Sequence, residues 1–181
     1  MESNNRVMSV ILPVKGISPQ IGEECFIAPN ATIVGEVVCG RKCTFWFNSV
    51  VRGDVNSIIL GDEVNVQDGA VIHGTFKTAS TKIGSRVSIG HNALVHGCTI
   101  EDRVLIGMGA IVMDKAIIGA GSIIAAGAVV LANTIVPPGS LYAGIPAKFV
   151  KKVSEEHINI IERTASNYPL YASWFNENKE E

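Results

Sequence analysis

The chain has 181 residues, enough for one domain with a sizeable buried core, and 47% of them are hydrophobic, which excludes a disordered chain. The formal net charge of −2, with no basic run, excludes the electrostatic footprint of a nucleic-acid-binding protein. The longest apolar stretch, Ile117 to Val130, is broken by Gly119, Gly121 and Gly127 and cannot serve as a membrane span, and nothing resembles a signal peptide, so a cytoplasmic protein is expected.

In chain order, the first feature is a repeat. From Ile21 onward an aliphatic residue recurs every six positions, usually followed by a small or polar one: IGEECF, IAPNAT, IGSRVS, IGHNAL, IGMGAI and IAAGAV. This hexapeptide period predicts an all-β fold, a parallel β-helix over residues 1–150 in which three hexads make one triangular coil. The aliphatic residue points inward, as does the small residue four places later (Ala93, Ala110, Ala128). One coil cannot bury its own apolar face, so coils must stack. Spacing alone does not fix the hand.

The period is interrupted by a small insertion at Ser57-Ile58, by a loop from Gly74 to Lys82, and by a hexad of only five residues before Ile100. The coil is expected to end near Val136-Pro137-Pro138-Gly139. Residues 151–181 form a separate helical segment. Ser154 is its N-cap with Glu155 and Glu156 in the first turn, and Ile158, Ile161 and Ala165 lie on one face. Pro169 is expected to interrupt this helix, with Tyr171, Trp174 and Phe175 forming a second apolar cluster. The helix is expected to pack on the outside of the coil. Of the four cysteines, Cys39 and Cys43 have the spacing of a ligand pair but lack partners in the sequence. Cys25, Cys39, Cys43 and Cys98 therefore read as small reduced core residues.

The repeat also serves as a ruler. Ile72 and Val95 open hexads on one face, one coil apart. His73 and His96 therefore stack in one column, about 4.8 Å apart at the backbone. Two imidazole nitrogens sharing a tetrahedral zinc lie somewhat over 3 Å apart, which this stacking allows. His91 is the third residue of a hexad on another face. One chain cannot easily bring it to the same metal, but a symmetric trimer can, by setting one face against the other face of a neighbour. On the same ruler Arg52 lies beneath His73 and Asp68 beneath His91. They form either an intersubunit ion pair at the site or a purely structural trimer contact. Met113 and Met108 continue the columns above, an apolar wall suited to a small uncharged substrate. Gln67 either hydrogen-bonds a water at the metal or stabilises a corner. His157 reads as a surface residue of the helix, and Tyr142 lies too many coils away to join the site.

The blocks VRGDVNSIILGDEVNVQDGAVIHG and IGHNALVHGC resemble the gamma-class carbonic anhydrases over about Ile11 to Lys152. The resemblance implies a left-handed β-helix, a homotrimer, and a metal between subunits held by His73, His91 and His96. The metal would be Zn2+, with Fe2+ or Co2+ as alternatives. It implies reversible hydration of CO2 to bicarbonate. Arg52, Asp54, Asn65, Gln67 and Asp68 correspond to positions around the metal, with Gln67 like the residue that orients the attacking oxygen and Arg52 and Asp54 in the catalytic set. Val55 stands where the class carries a glutamate, and the loop after His73 contains no acid. The proton-shuttling acids of the class are thus missing, and weak hydration is expected. A CoA-dependent hexapeptide acyltransferase, for which Ala143-Gly144-Ile145-Pro146-Ala147-Lys148 resembles the closing coil, and a non-catalytic metal-binding assembly subunit are the alternatives.

Overall fold

The computed structural model describes residues 8–175. It is a parallel β-solenoid of about seven turns with a single C-terminal helix, and the hexapeptide pattern fits the left-handed sense expected of it. Most sides of the coil are strands of two or three residues followed by a turn, and successive rungs pair in parallel: Val66 with Ile89, Leu105 and Ile106 with Ile123 and Ile124, Leu94 with Ile111. The inward columns are the aliphatic residues of the repeat. Ile72, Ile89, Val95, Ile106 and Ile124 are all 0% exposed, and the small residues Ala93, Ala110 and Ala128 are buried beside them. β-Branched side chains suit this interior because they are stiff and pack tightly on a pleated surface.

Several irregularities differ from the sequence expectation. The insertion is wider than Ser57-Ile58. In the pairing of Thr32–Cys39 with Val50–Leu60, Gly35 faces Gly53 but Val37 faces Ile58, so Glu36 opposes the four residues from Asp54 to Ser57. Ile58 itself is in the core. This bulge re-aims side chains, a common device beside functional sites. The loop after His73 ends sooner than Lys82, because Thr81–Ile83 is already a strand paired with Ile58–Leu60. A bridge between Thr75 and Ala79 closes the loop.

The coil also runs past Val136-Pro137-Pro138-Gly139. Ser140–Ala143 adds one more parallel strand on Ile123–Ile124, and Lys148–Lys152 then turns back antiparallel to it as a cap. The prolines sit in the turn between rungs, where no ladder N–H is needed.

The helix spans Glu155–Ser173 without interruption, with Pro169 inside it. A proline in a helix interior costs about 3 kcal/mol, and docking offsets it here. Ile161, Ala165 and Ala172 are buried. Tyr168 and Phe175 pack on Trp46, with ring centroids 5.4 and 5.9 Å away. Glu162 bonds both Arg86 (2.7 Å) and Arg103 (2.6 Å) of the coil. Ser154 caps the helix as expected. His157 is the reciprocal partner in this capping box rather than a plain surface residue. The helix lies over the strands Thr44–Phe45 and Ser88–Ile89, on the face that carries His91.

Candidate metal centre

The register places the histidines as the ruler requires. His73 and His96 are direct cross-strand partners. Val51 pairs with Ile72, which puts Arg52 on the rung below His73. Val66 pairs with Ile89, which puts Asp68 on the rung below His91. Tyr142 lies on Phe149, with ring centroids 6.1 Å apart, at the capped end of the coil and away from all three histidines.

The hydrogen bonds fix which nitrogen of each ring is free. His73 Nε2 lies 3.0 Å from Asp54 Oδ1, and His96 Nδ1 lies 2.5 Å from Asp114 Oδ1. An ionised carboxylate only accepts, so each of these nitrogens carries the ring proton. In the neutral rings the remaining nitrogens, His73 Nδ1 and His96 Nε2, present lone pairs, and they face each other at 3.2 Å. Two opposed lone pairs repel unless a positive charge sits with them. The separation is that of two imidazoles sharing one tetrahedral cation, and each ring is braced from behind by a carboxylate, the usual outer shell of a metal-binding histidine.

Asp54 and Asp114 are suited to that role. Burial works against ionisation of Asp54, but the bonds from His73 and Arg52 outweigh it and hold the carboxyl below its usual range. For Asp114, burial is outweighed by the Thr75 hydroxyl and by His96. Asp54 reaches His73 because it stands in the bulge, and Arg52 Nη1 steadies it at 2.5 Å. Asp114, on the rung directly above, reaches His96 because the chain turns at Gly97, whose φ is +55°. A Cβ there would stand 2.6 Å from Asp114 Oδ1 and 2.8 Å from Ala79. The short hexad before Ile100 is thus a feature of the site.

His91 stands apart from this pair. Its Nδ1 lies 3.0 Å from Asp68 Oδ2, which leaves Nε2 as the acceptor, 3.3 Å from the Tyr168 hydroxyl. Burial, and then the charge of Asp68, push the Tyr168 phenol up to about 12, so it is a neutral donor at physiological pH. Gln67 Oε1 accepts from the His91 backbone N–H at 3.2 Å, and Gln67 Nε2 donates to Asn65 Oδ1 at 3.0 Å. Asn65 in turn donates to Ser88 Oγ at 2.8 Å. Gln67 and Asn65 are almost wholly buried, so this chain of amides is rigid. Within one chain Arg52 bonds Asp54 and Asp68 bonds His91.

Asp114 and Tyr168 are the two residues that the sequence expectation did not include. Extending the histidine column one position past Met113 leads to Asp114. Tyr168 has no comparable signal, because its place depends on how the helix docks.

Residues 97–132 match the bacterial transferase hexapeptide (six repeats) family. The chain is 40% identical over 156 residues to mitochondrial gamma carbonic anhydrase 1 of Arabidopsis thaliana, covering 83% of this chain. It is 43% identical over 159 residues to the carbonic anhydrase of Geobacillus kaustophilus, covering 88% of this chain and 87% of that protein. The chain belongs to the gamma carbonic anhydrase family. It spans only 57% of the length of the plant member. A solved structure, a hexapeptide transferase family protein from Anaplasma phagocytophilum, superimposes with a TM-score of 0.88 at 40% identity, over 92% of this chain and 98% of that one. Among the described residues no helix is long and apolar enough to cross a membrane.

Proposed function

We propose that this gamma carbonic anhydrase family member hydrates CO2 reversibly to bicarbonate at a metal held between subunits of a homotrimer. The observation that carries the reading is the pair of opposed lone pairs on His73 Nδ1 and His96 Nε2, 3.2 Å apart with both outer nitrogens engaged by carboxylates. His91, on a different face of the coil, completes the donor set from a neighbouring copy, its Nε2 exchanging the Tyr168 hydroxyl for the ion while Asp68 keeps hold of Nδ1. Three imidazoles and no thiolate suit Zn2+, and Fe2+ or Co2+ would also be held. Such an ion, when bound, supplies an acidified water at neutral pH.

The chain's own residues do the rest. Asp54 and Asp114 keep the ring protons on the outer nitrogens. Arg52 orients Asp54 and, across the interface, lies within the same boundary as Asp68 of the neighbour, where the two form an intersubunit ion pair. Asn65 holds Gln67, whose remaining amide proton and lone pair serve to orient the attacking oxygen. Met113 and Met108, 39% and 59% exposed in the single chain, offer CO2 an apolar wall. The loop Gly74–Ser80 carries no acid to take the product proton. Export then falls to buffer, and turnover is expected to be slow and buffer-dependent.

The test is CO2 hydration by anaerobically prepared, metal-loaded protein. Activity that disappears in His91→Ala supports the reading, and no rate above buffer background ends it. Saturable acetyl-CoA binding without metal would favour the acyltransferase reading instead. A cytoplasmic location remains part of the proposal, since the plant relative is mitochondrial by name.

A further inference from the structure

At the N-terminal end of the coil the inward columns change character. The column that is Val64, Val87 and Val104 in later rungs, all 0% exposed, continues downward as Cys43 and then Cys25. This follows from the pairing of Thr44 with Asn65 and of Phe26 with Thr44. The column that is Leu60 and Ile83 continues downward as Cys39, the partner of Leu60. Three cysteines that are 4 to 18 residues apart in sequence thus converge on one interior corner. Their sulfurs all lie within 4.8 Å of one another. All three are free, and Cys39 and Cys43 are buried in the core as the sequence suggested, but the solenoid brings Cys25 from the rung below as a neighbour the sequence did not show.

We infer that Cys25, Cys39 and Cys43 form a second metal site, distinct from the histidines, that takes a soft divalent d10 cation such as Zn2+. Tetrahedral Zn–S bonds of about 2.3 Å put sulfurs about 3.8 Å apart, which the observed cluster accommodates with little movement. Three thiolates and no hard ligand select a thiophilic ion. A divalent ion leaves a net charge of only −1 in a partly buried corner, whereas a monovalent one leaves −2, and uncompensated buried charge is costly.

The site has a way in. Cys39 and Cys43 are buried, but Cys25 is half-buried. It lines a groove of about 950 Å³ together with Glu24, Phe26, Lys42 and Phe175. The groove gives an ion, and a water as its fourth ligand, access by way of Cys25. In the thiol form the Cys43 S–H donates to the Gly61 carbonyl (3.2 Å) and the Cys25 S–H to the Gly40 carbonyl (3.4 Å). On binding, each S–H bond gives its proton to buffer and its electron pair to the cation, so no oxidant or reductant is involved.

Cobalt(II) is the probe, added to reduced, metal-stripped full-length protein under argon. The His73→Ala/His96→Ala background removes the histidine pair, so the outcome is independent of the proposed function. The expected result is one Co2+ per chain, with sulfur-to-cobalt charge-transfer absorption, tetrahedral d–d bands, proton release, and displacement by excess Zn2+. Cys25→Ser, at the accessible edge, should abolish the charge-transfer band. Cys39→Val/Cys43→Val should also abolish it while keeping the aliphatic packing of the columns above. Absence of the band in the parent, or its persistence in either cysteine variant, overturns the site. Failure of Zn2+ to displace cobalt overturns the choice of ion.

Discussion

His96 illustrates how a single residue's role depends on the neighbour behind it. Its imidazole presents a lone pair to a cation because Asp114 accepts the hydrogen bond from the other nitrogen and holds the ring proton there. Asp114→Asn keeps the shape but replaces a charged acceptor with a weaker one, and loss of such an outer partner typically costs 10–100-fold in metal affinity. That loss should appear in a competition titration against a chelator, with the thermal melt of the metal-free protein little changed. Gly97→Ala should weaken metal to a similar extent, because its Cβ would stand 2.6 Å from Asp114 Oδ1 and push the carboxylate off His96. It should also destabilise the fold, since alanine at φ +55° is strained. A Gly97→Ala protein with unchanged metal affinity would show that Asp114 does not brace the site.

The C-terminal helix is the element whose docking matters most. Its Tyr168, with Phe175 just past its end, closes over Trp46, and its Glu162 binds Arg86 and Arg103. Burial by itself would raise the Glu162 carboxyl, but the Arg86 bond and the Arg103 charge outweigh it and hold it below its ordinary value of 4.5. A depressed folded-state pKa stabilises the docked form above the unfolded value. The contribution is therefore complete above about pH 4.5 and is lost as the pH falls through the lower folded value. Partly exposed ion pairs contribute on the order of 1 kcal/mol. Glu162→Gln should lower stability by about that amount at pH 7 and by less near pH 3, measured by denaturant melts at the two pH values. An equal loss at both would show that the carboxylate contributes by shape rather than charge. Tyr168 is carried by the same helix, so a helix that releases also takes the hydroxyl from His91.

At the scale of the whole molecule, the proposed site would make metal binding and assembly one equilibrium. If His73 and His96 come from one protomer and His91 from another, the ion binds only the assembled state. Binding at 100 times the dissociation constant then adds about 2.7 kcal/mol per site to that state. Chelation should lower the melting temperature and shift the sedimentation profile toward smaller species at low protein concentration. His91→Ala should do the same without chelator. A chain that stays fully assembled and equally stable after metal removal would separate the two and leave the trimer to apolar contacts alone.

The period of six is local, set by side chains that must point inward at fixed intervals. The coil, the stacking of His73 on His96, and the positions of Arg52 and Asp68 were therefore legible in the sequence, because each needs only a count along the chain. So was the N-cap at Ser154, which is a matter of adjacent residues. What broke the count was decided by packing. The bulge from Asp54 to Ser57 exists because Ile58 must return to the core, and it is this bulge that delivers Asp54 to His73. Pro169 remains helical because the docked face outweighs its local penalty, and Tyr168 meets His91 only once that face is docked. Cys25 joins Cys39 and Cys43 only when rungs stack. The sequence by itself determined the repeat and the histidine column, since both follow from side-chain direction along one strand path. The tertiary structure alone decided the tautomers, the helix-borne tyrosine and the thiol cluster, since each depends on atoms that meet across rungs or elements and are unrelated along the chain.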